Sequence, residues 1–323
     1  MTTPLLELRN VRVHFPVRGR TARRTGTVVK AVDGVSLTLE EGRTLGVVGE
    51  SGCGKSTLAR TLLRLVSITE GEVLWQGRDV RRFDEQEMRE LRRDVRMVFQ
   101  DPLASLNPRM TVGELVREPL DLFAPQLDER SKRNAVASMF ERVGLRAELV
   151  DRYPHEFSGG QCQRVNIARA LIGKPKLLIC DESVSALDVS IRSQILNLLI
   201  ELQADTGVAC LFISHDLSVI RQVSERVLVL YLGKTMECRD AEALFVAPSH
   251  PYTQALLDAA PVPDPVVERS RARAVLGGEL PSPLSPPSGC VFRSRCPEAA
   301  PRCAITAPPQ KSVRGGEVIC HFR

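Results

Sequence analysis

Apolar and polar positions alternate along Leu6–Phe15 and again along Val32–Leu39, the period of two expected of half-buried β-strands. Between them a polar, Arg-, Gly- and Thr-rich stretch reaching about Val28 reads as a loop. Thr44–Val48 is apolar after its first residue, as in a strand buried on both faces, and runs straight into a glycine-rich turn. Helical spacing follows over Lys55–Val66, and Gly71–Trp75 and Val95–Phe99 predict further strands. From about Ser105 to Tyr153 the period becomes helical, most clearly over Val112–Arg117 and Ser131–Val143. Strand and helix then alternate through Lys176–Cys180, Ile191–Ala204, Val208–Ser214, Leu217–Gln222 and Val227–Tyr231. This order predicts an α/β fold, a mostly parallel sheet covered by helices and interrupted by an inserted helical subdomain.

Composition narrows the picture. At 323 residues, 43% apolar and 26% charged, the chain is long enough for a full α/β core plus a small appendage. No apolar run approaches the roughly 18 residues of a membrane span. Met1–Glu7 lacks the basic start and apolar middle of a secretory signal, so a cytoplasmic location is expected, with any membrane link made through a partner. The formal net charge of +5 is too mild for a nucleic-acid binder. Most of the excess falls in residues 290–323, where six basic residues face Glu298 and Glu317. Arg18, Arg20, Arg23 and Arg24 read as a solvated loop rather than a lipid-phosphate contact. Seven prolines from Pro261 to Pro287 suit an extended connector over residues 261–289.

Three segments carry phosphate chemistry. Gly49-Glu50-Ser51-Gly52-Cys53-Gly54-Lys55-Ser56-Thr57 sits between a strand and a helix, the context a P-loop needs. Its glycines let backbone N–H groups converge on one anion, and the helix start adds partial positive charge. Lys55 is placed to neutralise the β- and γ-phosphates, and the Ser56 hydroxyl to ligate Mg²⁺. The apolar run Leu177–Cys180 ends in Asp181, suited to hold Mg²⁺, and Glu182, suited to act as general base toward water. Ser158-Gly159-Gly160-Gln161 opens a helical run and makes a second anion cradle. One ATP rarely needs two cradles from one chain, so the second is expected to close over ATP held by another subunit. An ordinary capped helix start is the competing reading.

Together these strings resemble an ATP-binding cassette subunit of a transporter, nearest the dipeptide/oligopeptide importer ATPases. Gln100–Arg109, His250–Leu257 and Gly278–Pro283 have that subfamily's form, and the likeness runs from about Leu5 to Cys320. The resemblance implies a P-loop NTPase core over 1–104 and 165–245, a helical signature subdomain over 105–164, and a C-terminal extension over 246–323. It also implies that Phe15 stacks on adenine (a core phenylalanine being the alternative), that Gln100 senses Mg²⁺ and water, and that His215 contacts the γ-phosphate. Asp188 would communicate between two sites. Implied partners are a second, related ATPase subunit in a heterodimer, two membrane-spanning permease subunits and an extracytoplasmic solute-binding protein, with the chain peripheral on the cytoplasmic membrane face. Nickel, glutathione or another small solute as cargo, or a soluble non-transport ATPase, are alternatives. Two positions depart from the family: Ser183 stands where proline is usual, and Cys162 where arginine is usual.

Five of the nine cysteines are scattered; Cys290, Cys296, Cys303 and Cys320 cluster in a segment too poor in apolar residues to pack alone. A cytosolic chain argues against disulfides, leaving a metal centre as what holds the tail together. The spacing is wider than typical zinc pairs and compatible with a [4Fe–4S] cluster, with zinc or unmetallated thiols as alternatives. The resemblance implies the [4Fe–4S] cluster. His321 is expected to be a bystander.

Overall fold

The computed structural model describes residues 3–17, 28–260 and 279–323, so the Arg18–Arg24 stretch, residues 261–278 of the connector and Gly278 lie outside the described residues. The chain divides into two units, one formed by Met1–Leu39, Leu45–Arg81 and Ser214–Arg323, the other by Glu40–Thr44 and Arg82–Ile213.

In the first unit, β1 (Leu6–Pro16) lies between β2 (Val28–Leu39) and β4 (Glu70–Trp75) in an antiparallel sheet, with the short β5 (Arg78–Asp79) beyond β4. Alternation sets the register: Leu6 faces Leu39 and Trp75, and Leu8 faces Val73. Leu6, Leu8, Val11 and Val13 are all buried. The skip from Leu8 to Val11 is a bulge in which Asn10 takes a φ of +48°. Gly71 is required opposite it, since a Cβ there would stand 2.4 Å from the Asn10 carbonyl oxygen. This antiparallel sheet was not foreseen in the expectation of mostly parallel strands.

The same unit contains β3 (Thr44–Val48), buried at every position, running parallel to β9 (Arg226–Tyr231). Next comes β10 (Lys234–Asp240), antiparallel to β9. The tail then supplies two unforeseen strands, β11 (Gln310–Val313) and β12 (Gly316–Ile319), with β12 pairing along β10. Glu237 faces Val318 in that pairing. Short helices of this unit are α1 (Lys55–Leu62), α7 (Leu217–Val223), α8 (Ala241–Val246), α9 (Pro251–Ala259) and α10 (Arg302–Ile305).

The second unit has three parallel strands, β6 (Val95–Val98), β7 (Leu177–Asp181) and β8 (Ala209–Ile213), in the order β8-β7-β6. Its helices begin where side chains satisfy the orphan N–H groups. Asp84 and Glu87 form a capping box on α2 (Glu85–Asp94), as do Thr111 and Glu114 on α3 (Val112–Phe123). Asp128 caps α4 (Glu129–Arg142). Ser158 caps α5 (Gly159–Leu171), and Asp188 caps α6 (Val189–Thr206). Helix α3 continues through Pro119 to Phe123, past the predicted end at Arg117, because Val116, Pro119 and Leu120 share its buried face. Among the described residues no helix is long and apolar enough to cross a membrane.

Candidate nucleotide site

The first unit carries the phosphate loop. It leaves β3 at Gly49 and enters α1 at Lys55, with Gly49, Gly52 and Gly54 at φ values of +151°, +78° and +105°. Gly54 admits no side chain, as a Cβ would lie 2.0 Å from the Ala31 carbonyl oxygen. Ser51 and Gly52 are exposed, Ser56 and Thr57 are half-buried, and the Cys53 side chain turns inward, its thiol pushed up by burial. Lys55 is 4% exposed and its Nζ donates to the carbonyls of Gly49 at 2.8 Å and Glu50 at 3.1 Å. An ammonium held against the loop's own carbonyls is pre-aimed at whatever anion the loop accepts.

Also in this unit, the Ser214 N–H donates to the Val47 carbonyl at 3.2 Å, fixing the turn that presents the exposed His215. Asp216 follows and caps α7. Phe15, near the end of β1, is 41% exposed, which removes the core-phenylalanine alternative and leaves its ring available for stacking.

The second unit brings Gln100, Asp181 and Glu182 to one end of its parallel strands. Asp181 is buried at the last residue of β7. Glu182 has left the strand with a φ of +49°, its N–H donating to the Ile213 carbonyl at 2.9 Å. A glutamate in this left-handed conformation is uncommon, and such backbone concentrates at functional turns. Gln100 Nε2 donates to Glu182 Oε2 at 3.2 Å, across 82 residues of sequence. The loop after Gln100 is braced from α5 by two residues that the sequence reading passed over. Asn166 donates to the Pro102 carbonyl at 2.9 Å, and Arg169 donates to the Ser105 carbonyl at 3.1 Å while pairing with Glu118. Their i, i+3 spacing on one face of α5 was the available signal.

At the start of α5, Ser158 and Gln161 cap each other: Ser158 N–H donates to Gln161 Oε1 at 2.9 Å, and Gln161 N–H to Ser158 Oγ at 3.3 Å. Ser158 and Gly159 are exposed, whereas Gly160 lies against Ile191, where a Cβ would stand 2.5 Å from Cγ2. The cap and an open helix start thus coexist. Asp188 is exposed, and its Oδ1 accepts the Ile191 N–H at 3.2 Å. Cys162 is fully buried with its thiol donating to the Pro154 carbonyl, so a long cation would have no room there. Ser183 is buried as well.

The tail differs from expectation. Among the described residues no three His, Cys, Asp or Glu side chains are grouped so that they could hold a metal ion. Packing contributes to holding the tail: Phe292 and Val318 are fully buried, and β12 pairs with β10. The apolar content of the segment misleads because its few large side chains are packed against residues far earlier in the chain. Burial pushes the Cys290 and Cys296 thiols up, and the charge each would face from Cys320 adds to it. His321 Nε2 lies 3.1 Å from the Thr306 carbonyl oxygen.

A P-loop, a strand-end carboxylate pair and a glutamine-bearing loop on an α/β frame define an ATP-hydrolysing cassette. Residues 32–185 match the ABC transporter family and residues 236–303 the C-terminal region of oligopeptide/dipeptide transporters. The chain is 55% identical to the oligopeptide transport ATP-binding protein OppF of Salmonella typhimurium, over 94% of this chain and 92% of that one. It is 50% identical to the oligopeptide transport ATP-binding protein AppF of Bacillus subtilis, over 98% and 97%. A dimeric ATP-binding cassette solved in a post-hydrolysis state with ADP and Pi superposes with a TM-score of 0.65 at 29% identity, covering 73% of this chain and 98% of that one. The chain belongs to the ABC transporter family, among its oligopeptide transport ATP-binding proteins.

Proposed function

We propose that this chain hydrolyses ATP to energise import of dipeptides and oligopeptides through a membrane transporter. The observation that carries the reading is the hydrogen bond from Gln100 to Glu182, which ties the candidate base to the loop that α5 braces through Asn166 and Arg169. Lys55 and the loop N–H groups hold the β- and γ-phosphates, and Phe15 stacks on adenine. Glu182 takes the proton of the attacking water, and His215 orients that water against the γ-phosphate. Ser56, Gln100 and Asp181 offer the oxygen donors that Mg²⁺ prefers, and the ion, when bound, neutralises developing phosphate charge. The exposed Ser158–Gln161 helix start serves the nucleotide of a second subunit, with Asp188 passing the state of one site to the other.

Residues 105–164 act as the subdomain that follows nucleotide state. Beside Gln100 the apolar Phe99 and Leu103 are 40% and 52% exposed, and an open depression of about 730 Å³ is lined by Arg89, Arg93, Leu122 and Phe123. These suit contact with permease subunits. A related ATPase as the mate, two permeases, an extracytoplasmic solute-binding protein and a place on the cytoplasmic membrane face complete the assembly. Reconstitution of the assembly in liposomes is expected to give peptide uptake that requires ATP and stops with Lys55→Ala. Uptake that persists in that variant refutes the assignment.

The four tail thiols form the remaining part of the proposal. A [4Fe–4S] cluster takes four thiolates, the number that Cys290, Cys296, Cys303 and Cys320 supply, and the resemblance to the importer ATPases supports that reading. Anaerobic purification is expected to yield iron and sulfide in equal amounts, about four of each per chain. Iron-free protein, or zinc in its place, removes the cluster.

A further inference from the structure

Glu50 is the one acidic residue in the phosphate loop Gly49–Thr57. A carboxylate there opposes the loop's task of accepting a polyanion. Its charge is felt inside the loop: burial pushes the Cys53 thiol up, and Glu50 adds to that rise.

One guanidinium meets this carboxylate head-on. Arg295 Nη1 donates to Glu50 Oε2 at 2.7 Å and Nη2 to Oε1 at 3.0 Å. The two residues are 245 apart in sequence, and Arg295 belongs to the cysteine tail, one position before Cys296. The pair is sheltered, with side-chain exposures of 7% for Arg295 and 25% for Glu50. Arg295 also sits above the Tyr231 ring at 5.9 Å from its centroid. The Glu50 backbone is held too, its N–H donating to the Tyr252 hydroxyl at 3.1 Å. Tyr252 packs edge-on to Tyr231 at 4.8 Å, and Phe292 of the tail lies 5.3 Å from Tyr231. A bidentate, largely desolvated pair of this kind fixes orientation as well as charge.

We propose that Arg295 is a positioning residue of the nucleotide site: its guanidinium cancels the Glu50 carboxylate and pins the phosphate loop, so that the cysteine tail sets the affinity for ATP. The proposal rests on the reading of Gly49–Thr57 as the ATP-binding loop. Without Arg295, Glu50 becomes an unpaired anion beside a triphosphate, and partly buried charges at such separations are weakly screened.

The test is equilibrium titration of the full-length chain with a fluorescent ATP analogue, together with steady-state hydrolysis. Arg295→Gln is expected to weaken nucleotide binding about tenfold and to raise KM similarly, with kcat held within about twofold. Arg295→Lys keeps the charge but not the fork and should recover part of the loss. The decisive variant is Glu50→Gln/Arg295→Gln, which removes both charges and is expected to restore affinity to within about twofold of the parent. Glu50→Gln alone should bind as well as the parent or more tightly. A double variant as weak as Arg295→Gln, a Glu50→Gln variant that loses affinity, or an Arg295→Gln variant with parental affinity each overturns the proposal. Lys55→Ala separates the two readings: parental affinity in that variant overturns the assignment of the ATP loop, whereas lost affinity there with no effect of Arg295→Gln overturns only the positioning role.

Discussion

Glu182→Gln is expected to lower ATP turnover by about 10²- to 10⁴-fold while leaving nucleotide affinity within about twofold of the parent, the range that loss of a general base commands. The substitution is well posed because it keeps the local geometry. A glutamine at this position still presents a carbonyl oxygen to Gln100 Nε2, now 3.2 Å from Glu182 Oε2. The backbone anchor, the N–H to the Ile213 carbonyl at 2.9 Å, does not involve the side chain. What disappears is the ability to take a proton. Because the bound nucleotide then persists, two-subunit complexes should accumulate with ATP. Phosphate release, nucleotide titration and size-exclusion chromatography read the three parts separately. Turnover at the parental rate would remove Glu182 from its role, and lost affinity would make it a binding residue instead.

The second large effect concerns the tail. Phe292→Ala is expected to cost about 3–5 kcal/mol, as truncation of a fully buried phenylalanine does. Phe292 has no exposed surface and meets Tyr231 at 5.3 Å with the rings nearly perpendicular, Tyr252 at 5.2 Å and His250 at 5.7 Å. His250 is itself buried, its pKa lowered to about 4 by that burial, and as a neutral ring it accepts the Tyr252 N–H at 3.0 Å. The tail should therefore loosen first. Limited proteolysis is expected to release fragments from residues 279–323, and thermal unfolding to begin earlier, with or without chelator. Parental protease resistance would refute packing as what holds the tail.

How much of this was readable beforehand depends on range. The phosphate loop, the Asp181–Glu182 strand end and the Ser158–Gln161 helix start are contiguous strings whose local backbone needs dictate their residues. They were legible for that reason. Helix starts were legible only in part: the start at Val112 was met, whereas α2 with its Asp84–Glu87 box was passed over although its cap acts within four residues. The antiparallel β1 sheet was half legible: its alternation predicted strands, but partner choice depends on residues such as Leu6, Leu39 and Trp75 meeting from separate segments. The tail misled because its packing partners, Tyr231, Tyr252 and the β10 backbone, are remote and leave no mark on local composition. Glu50 and Arg295 carry no joint signal either. Each looks like a solvated charge until the fold joins them.

The β10–β12 pairing bears on any attempt to shorten this protein. Arg239 on β10 is 4% exposed, and its guanidinium donates twice to the Arg314 carbonyl, at 2.9 and 2.6 Å. Trimming the chain after α9 would strip that carbonyl acceptor from an inward-facing cation and lay bare a row of unsatisfied backbone groups along β10. Such a fragment would be a sticky, self-associating species rather than a minimal motor.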